Sequence, residues 1–251
     1  MTNNYMYLVA NWKMNGHLSS LKQIKKVISL SSTNLFKRKV KIIYCPPFTL
    51  LSSFVDKTRN SKIKIGAQDC HYVENYGSYT GEISPNQIKK LGVKYVIIGH
   101  SEKRFSGDTD FIINKKVKSA LNQNLNIILC IGETLKQKKE KKTKIILSNQ
   151  IKKSLKNIKN LKNIIIAYEP VWSIGSGKIP SIKELNSTLS HIKNIIIKNF
   201  KDRRISLLYG GSVNPENIKH LMKTNNIKGF LVGGSSQIQK KFIDIAKKII
   251  N

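Results

Sequence analysis

A chain of 251 residues without a low-complexity linker is long enough for one large core, and a barrel of alternating strands and helices takes about 250 residues. Its formal net charge is +31, yet only five of the cations are arginine and the lysines are spread over helical segments. Phosphate-backbone contact needs only such charge, whereas base readout or strand stacking needs bidentate Arg or Asn, or aromatics set among the cations, so the composition argues against specific nucleic-acid recognition. Three cysteines, Cys45, Cys70 and Cys130, are odd in number and lack CxxC spacing. They suggest neither a disulfide framework nor a metal site, and fit a reducing cytoplasm. No basic region precedes the apolar stretch 7–10, and no apolar run reaches about 18 residues, so the expectation is an unexported protein that makes no membrane contact.

In chain order, short runs rich in β-branched and aromatic residues recur at 7–10, 40–44, 63–67, 95–98, 127–130, 164–168, 205–209 and 229–232, each followed by a longer stretch with helical spacing. Near-continuous apolar runs mark strands buried on both faces, as parallel sheets require once crossover helices cover them. Alternation of strand and helix throughout predicts a parallel sheet. The lysine-rich run 136–144 contains no aromatic and reads as the solvated face of a helix. Ser181 followed by Glu184 makes a capping box, and Ile182, Leu185, Leu189, Ile192 and Ile196 form a stripe at spacings of three and four. Asn214 followed by Pro215 is a similar start, with proline at the first helical position. Eight such units close most economically into a single (β/α)8 barrel domain over residues 1–251; an open doubly wound sheet is the alternative that periodicity leaves standing.

Reactive groups of such a barrel gather where strands end. After the first run come Asn11, Trp12 and Lys13; after the fourth come Gly99, His100, Ser101 and Glu102. After the sixth come Glu169, Pro170, Val171 and Trp172, then a Gly-containing loop to Lys178. The seventh and eighth are followed by Gly210-Gly211-Ser212 and Gly233-Gly234-Ser235. Taken singly each has a plain reading: Glu169 as a surface carboxylate, His100 as a hydrogen-bonded structural residue, Lys13 as one lysine among many, the glycine pairs as tight turns. Their joint occurrence at strand ends supplies a cation, an imidazole, a carboxylate and bare backbone to one face. The stretch Gly175-Ser176-Gly177-Lys178 is not a nucleotide-binding P-loop, because Trp172 and Ile179 stand where that pattern needs Gly and Ser or Thr. A barrel aldolase would need a Schiff-base lysine on a late strand, and the sixth run ends instead in Glu169.

The order and wording of seven segments, among them Ala10-Asn11-Trp12-Lys13-Met14-Asn15, Cys130-Ile131-Gly132-Glu133 and Ala167-Tyr168-Glu169-Pro170-Val171-Trp172, resemble the triosephosphate isomerase family over essentially the whole chain. That resemblance implies a cofactor-free, metal-free isomerase of glycolysis and gluconeogenesis that interconverts dihydroxyacetone phosphate and D-glyceraldehyde 3-phosphate. It assigns Glu169 as base and neutral His100 as electrophile, the pairing long described for this family. Lys13 would supply fixed charge, Asn11 an amide hydrogen bond, and Glu102 would pair with Lys13, with Ser101 in support. Substrate phosphate would sit on backbone at Ser212, Gly233 and Gly234, joined by Gly175 from a lid over 170–178. The family is dimeric, and the loop 71–81 resembles the one that inserts beside a partner's site, where Thr80 would reach the partner's Asn11 and Lys13.

Several positions depart from the family pattern. Ser173 and Ser176 stand where the lid usually has Ala and Thr, which predicts altered hinge hydrogen bonds. Lys103 replaces the first Arg of a pair, Ser235 replaces Ala, and Asp108 lies where Glu is usual in a loop about two residues short. Lys193 and Lys228 occupy both sides of a usual Arg–Asp ion pair. They are expected not to touch each other and to turn toward solvent or another carboxylate.

Overall fold

A computed structural model describes residues 5–250; residues 1–4 and Asn251, counted in the domain above, lie outside the described residues. The strands are β1 (Met6–Asn11), β2 (Val40–Cys45), β3 (Lys64–Ala67), β4 (Tyr95–Ile98), β5 (Asn126–Ile131), β6 (Ile164–Tyr168), β7 (Ser206–Tyr209) and β8 (Ile227–Val232). They pair in sequence order, all parallel. The ring closes where Tyr7, Leu8, Val9 and Ala10 of β1 register with Gly229, Phe230, Leu231 and Val232 of β8. That closing pairing decides between the two topologies the sequence left open, because an open sheet has no bond between its first and last strands.

Why the apolar runs are unbroken is visible in how alternate residues divide. Val9, Ile43, Ile97, Ile128, Ala167, Leu208 and Leu231 point inward and form one packed cluster inside the barrel. Their neighbours Leu8, Ala10, Ile42, Tyr44, Ile98, Ile127 and Ile166 point outward into a second cluster shared with the helices. A period-two chain buried on both faces has no polar position to show.

The helix Ile182–Phe200 begins as predicted: the Ser181 hydroxyl accepts from the Glu184 N–H, and the Glu184 carboxylate accepts from the Ser181 N–H. Its buried stripe gains Ile195 beside the expected Leu185, Leu189, Ile192 and Ile196. Two local expectations are corrected. Asn214 and Asn217 each accept from the other's backbone N–H, which caps an irregular turn through Pro215, and regular helix starts only at Ile218. The run 136–144 is not one helix face either: the helix Leu135–Lys139 ends, Lys141 turns left-handed at φ 56°, and a new helix starts at Thr143. Among the described residues no helix is long and apolar enough to cross a membrane.

Candidate active site

Strand ends place the reactive side chains. Asn11 is the last residue of β1, and its side-chain oxygen accepts from the Lys13 N–H at 3.1 Å. Lys13 adopts φ 56°, a left-handed conformation that costs a β-carbon residue of order 1 kcal/mol and needs support from its surroundings. The support includes Gln68, just past β3, whose amide donates to the Lys13 carbonyl at 2.8 Å and to that of Cys45 at 2.9 Å. The Lys13 ammonium then meets the Glu102 carboxylate at 2.5 Å, the pairing expected from the sequence.

His100 caps the helix Ser101–Phe105 and is only 5 % exposed. Its Nδ1 accepts from the Glu102 N–H at 3.3 Å, so the ring proton of the neutral form sits on Nε2. Nε2 faces Glu169 Oε1 at 3.4 Å. Arg104 fixes the turn below by donating to the carbonyls of Gly99 and Cys130 and pairing with Asp110 at 2.7 Å.

Glu169 follows β6, and its N–H extends the ladder by donating to the Ile131 carbonyl at 2.7 Å. It is 2 % exposed, which removes the plain reading of a surface carboxylate. Its Oε2 is buried without a hydrogen-bond partner. Gly210 makes room for it: a Cβ there would stand 2.7 Å from Glu169 Cγ.

A cavity of about 440 Å³ joins these groups; it is lined by Asn11, Lys13, His100 and Glu169 on one side and by Gly175, Ser212, Gly233 and Gly234 on the other. Eight of the expected residues thus share one space. Glu102 lines the adjoining cavity of about 280 Å³, which shares Asn11, Lys13 and His100 and opens toward His71, Gly81 and Glu82. Ser101 and Thr80 line neither, and Thr80 is exposed. Among the described residues no group of three or more His, Cys, Asp or Glu could hold a metal ion.

The segment 170–178, expected from the sequence to form a lid, begins with the turn Val171–Ser173. The Trp172 indole N–H donates to Glu133 at 2.9 Å, and the Tyr168 hydroxyl donates to the same carboxylate at 3.2 Å. Burial raises the Glu133 carboxyl above its usual range, against the lowering effect of those hydrogen bonds. On its outer side Trp172 carries the Lys138 ammonium 3.7 Å from the ring centre. Gln68 and Glu133 were not assigned roles from sequence; Gln68 directly follows β3 and Glu133 stands two residues past β5, and that position was the signal available for both.

The departures resolve individually. Lys103 pairs with Asp69 at 3.2 Å, and Asp108 with Lys116 at 2.7 Å. Lys193 turns to neither water alone nor a carboxylate: it donates to the amide oxygen of Asn226 at 2.9 Å, while Lys228 is exposed. The neutral amide serves because an acid partner is missing there.

A family model described as triosephosphate isomerase matches residues 6–249. The triosephosphate isomerase of Thermoanaerobacter pseudethanolicus is 41 % identical over 244 residues, spanning 95 % of this chain and 97 % of its own. That of Bradyrhizobium sp. is 39 % identical over 252 residues, spanning 98 % and 99 %. The crystal structure of the Bartonella henselae triosephosphate isomerase superposes with a TM-score of 0.88 at 35 % identity, covering 97 % of this chain and 98 % of that one.

Proposed function

The chain belongs to the triosephosphate isomerase family and interconverts dihydroxyacetone phosphate and D-glyceraldehyde 3-phosphate, and on that premise we propose that Glu169 is its base and His100 its electrophile. The observation that carries the assignment is that Glu169, whose Oε2 is buried and unpartnered and whose Oε1 stands 3.4 Å from His100 Nε2, lines one cavity with His100. An oxygen without a hydrogen-bond partner is free to accept a proton from the substrate.

Glu169 takes a proton from the carbon next to the carbonyl. The C–H electron pair becomes the C=C bond of an enediolate, and the carbonyl π pair moves onto oxygen. His100 donates from Nε2 to that oxygen, while Lys13 and Asn11 stabilise the developing charge. His100 gives its Nε2 proton to that oxygen and takes the proton of the adjacent hydroxyl, whose oxygen pair then forms the new C=O as Glu169 returns its proton to the former carbonyl carbon. Protons and electrons thus balance within substrate, Glu169 and His100, and no redox cofactor is needed. Glu102 orients Lys13 by the 2.5 Å ion pair, and Ser101 opens the helix that His100 caps. The phosphate sits on the backbone N–H groups of Ser212, Gly233 and Gly234, where the turn Gly234–Gln237 begins, with Gly175 added as the lid 170–178 closes.

Interconversion measured with purified protein and with Glu169→Gln tests the assignment. Turnover is expected to fall by about 10³-fold or more in the variant. Wild-type protein without turnover refutes the activity; a variant as fast as wild type refutes the base.

The same proposal extends to a cytoplasmic homodimer acting in glycolysis and gluconeogenesis. Met14 at 98 % exposure, Tyr76 at 67 % and Tyr79 at 44 % favour a covered face near the loop 71–81. In the pair, Thr80 of each subunit would enter the other's smaller cavity beside Asn11 and Lys13. Sedimentation at several ionic strengths tests it, with weaker association expected at low salt because both subunits are strongly basic. A fully active monomer at every concentration overturns it.

A further inference from the structure

Ser173 lies in the lid at a position where the family usually has alanine, and it is fully buried. A serine hydroxyl has one proton to give and two lone pairs to accept with. All three are in use. The proton goes to the Lys178 carbonyl at 2.5 Å, which ties the two ends of the lid together. The Tyr209 hydroxyl lies at 2.9 Å and, since the serine proton is already committed, donates to it. The remaining lone pair accepts from the backbone N–H of Ser212 at 3.2 Å. Asn217 holds the other side of that residue by donating to the Ser212 carbonyl at 3.0 Å, so the N–H has little freedom to turn elsewhere. Gly211 permits the approach, because a Cβ there would stand 2.6 Å from the Ser173 oxygen.

Ser212 is also one of the donors proposed above for the substrate phosphate, and an amide N–H has only one proton. We infer that Ser173 is a positioning residue that competes with substrate phosphate for the Ser212 N–H and so sets how tightly the phosphate site binds its anion. The inference rests on the phosphate placement proposed above. Phosphate arriving at Gly233 and Gly234 must displace the hydroxyl before Ser212 can join them. The hydroxyl left behind keeps its bonds to Lys178 and Tyr209.

Competitive inhibition by inorganic phosphate, compared between wild type and Ser173→Ala, tests this. The variant carries the residue usual in the family and keeps the site's shape; its melting curve checks that it folds. Freeing one N–H is worth roughly 2- to 10-fold in affinity. The inhibition constant for phosphate and KM for the triose phosphate are therefore expected to fall together by about that factor. A purely structural role predicts a lower melting temperature with KM unchanged. Phosphate that competes in wild type but binds Ser173→Ala no more tightly overturns the competition. Phosphate that fails to compete with substrate in wild type overturns the placement of the phosphate, and the inference with it.

Discussion

Lys116→Met should be the most destabilising single change near the site that leaves every substrate contact in place. Lys116 sits in the helix Asp110–Asn122 with its side chain only 6 % exposed. Its ammonium meets Asp69 at 2.9 and 3.0 Å and Asp108 at 2.7 Å. Removing one member of a buried ion pair leaves the other charge without compensation and costs about 3–5 kcal/mol. Here the stranded carboxylates keep 14 % and 11 % exposure, and Asp69 retains Lys103 at 3.2 Å, so the lower end, about 3 kcal/mol, applies. In a chain of this size that is a fall in Tm of about 6–12 °C. Burial acts to lower the Lys116 pKa, but the two carboxylates outweigh it and hold the value above that of an ordinary lysine. A raised lysine contributes stability that is complete below its unfolded pKa and lost as pH rises through the folded one. The gap between wild type and variant should therefore be flat through neutral pH and narrow only above about pH 10. Thermal unfolding followed by circular dichroism at several pH values measures it, with the half-exposed Lys103→Met as the control expected to cost less than about 1 kcal/mol. A Lys116→Met shift under about 2 °C, or a gap that closes between pH 7 and 9, would refute the argument.

Two further outcomes follow from the site. Gly210→Ala should lower kcat about 10- to 100-fold, since its Cβ would stand 2.7 Å from Glu169 Cγ and displace the carboxylate by a fraction of an ångström; unaltered kcat in steady-state assays would mean the carboxylate has slack to give. With a net charge of +31 and a dianionic substrate, kcat/KM should fall as ionic strength rises while kcat stays level, and a flat salt profile would show that capture is not steered.

How much of this was legible in the sequence depends on whether a residue's partner is local. The eight strands were legible because burial on both faces leaves an unbroken apolar run, and the observed strands run on by one residue to Asn11, Cys45 and Ile131, where the site begins. Ser181 and Glu184 were legible because a capping box closes within three residues. The turn at Pro215 was misjudged although its cap was recognised: the Asn214–Asn217 exchange satisfies the same donors in an irregular turn, and nothing in the letters says where regular helix resumes. The break at Lys141 has no sequence mark at all, since a lysine at φ 56° looks like any other lysine. Gln68 and the three bonds of Ser173 depend on segments far away in the chain, and only the closed barrel brings them together.

The distribution of acids explains why such a basic chain can still build this site. There are 45 lysines and arginines against 14 aspartates and glutamates, so most cations have no acid available. Many of the acids stand at the barrel mouth: Asp69 and Asp108 hold Lys116, Asp110 holds Arg104, Glu102 holds Lys13, Glu133 accepts from Trp172 and Glu169 faces His100. An exposed ammonium without a partner remains solvated at little cost, which is why Lys228 is tolerated and why an amide suffices for Lys193. A buried one has no such recourse. The fold therefore relies on its apolar layers for cohesion against self-repulsion, and on its few carboxylates for the angles at which Lys13 and His100 face the cavity. Neutralising an acid at the mouth should disturb catalysis or stability more than neutralising one on the outer helices, such as Asp244, whose partner Lys248 is itself one third exposed.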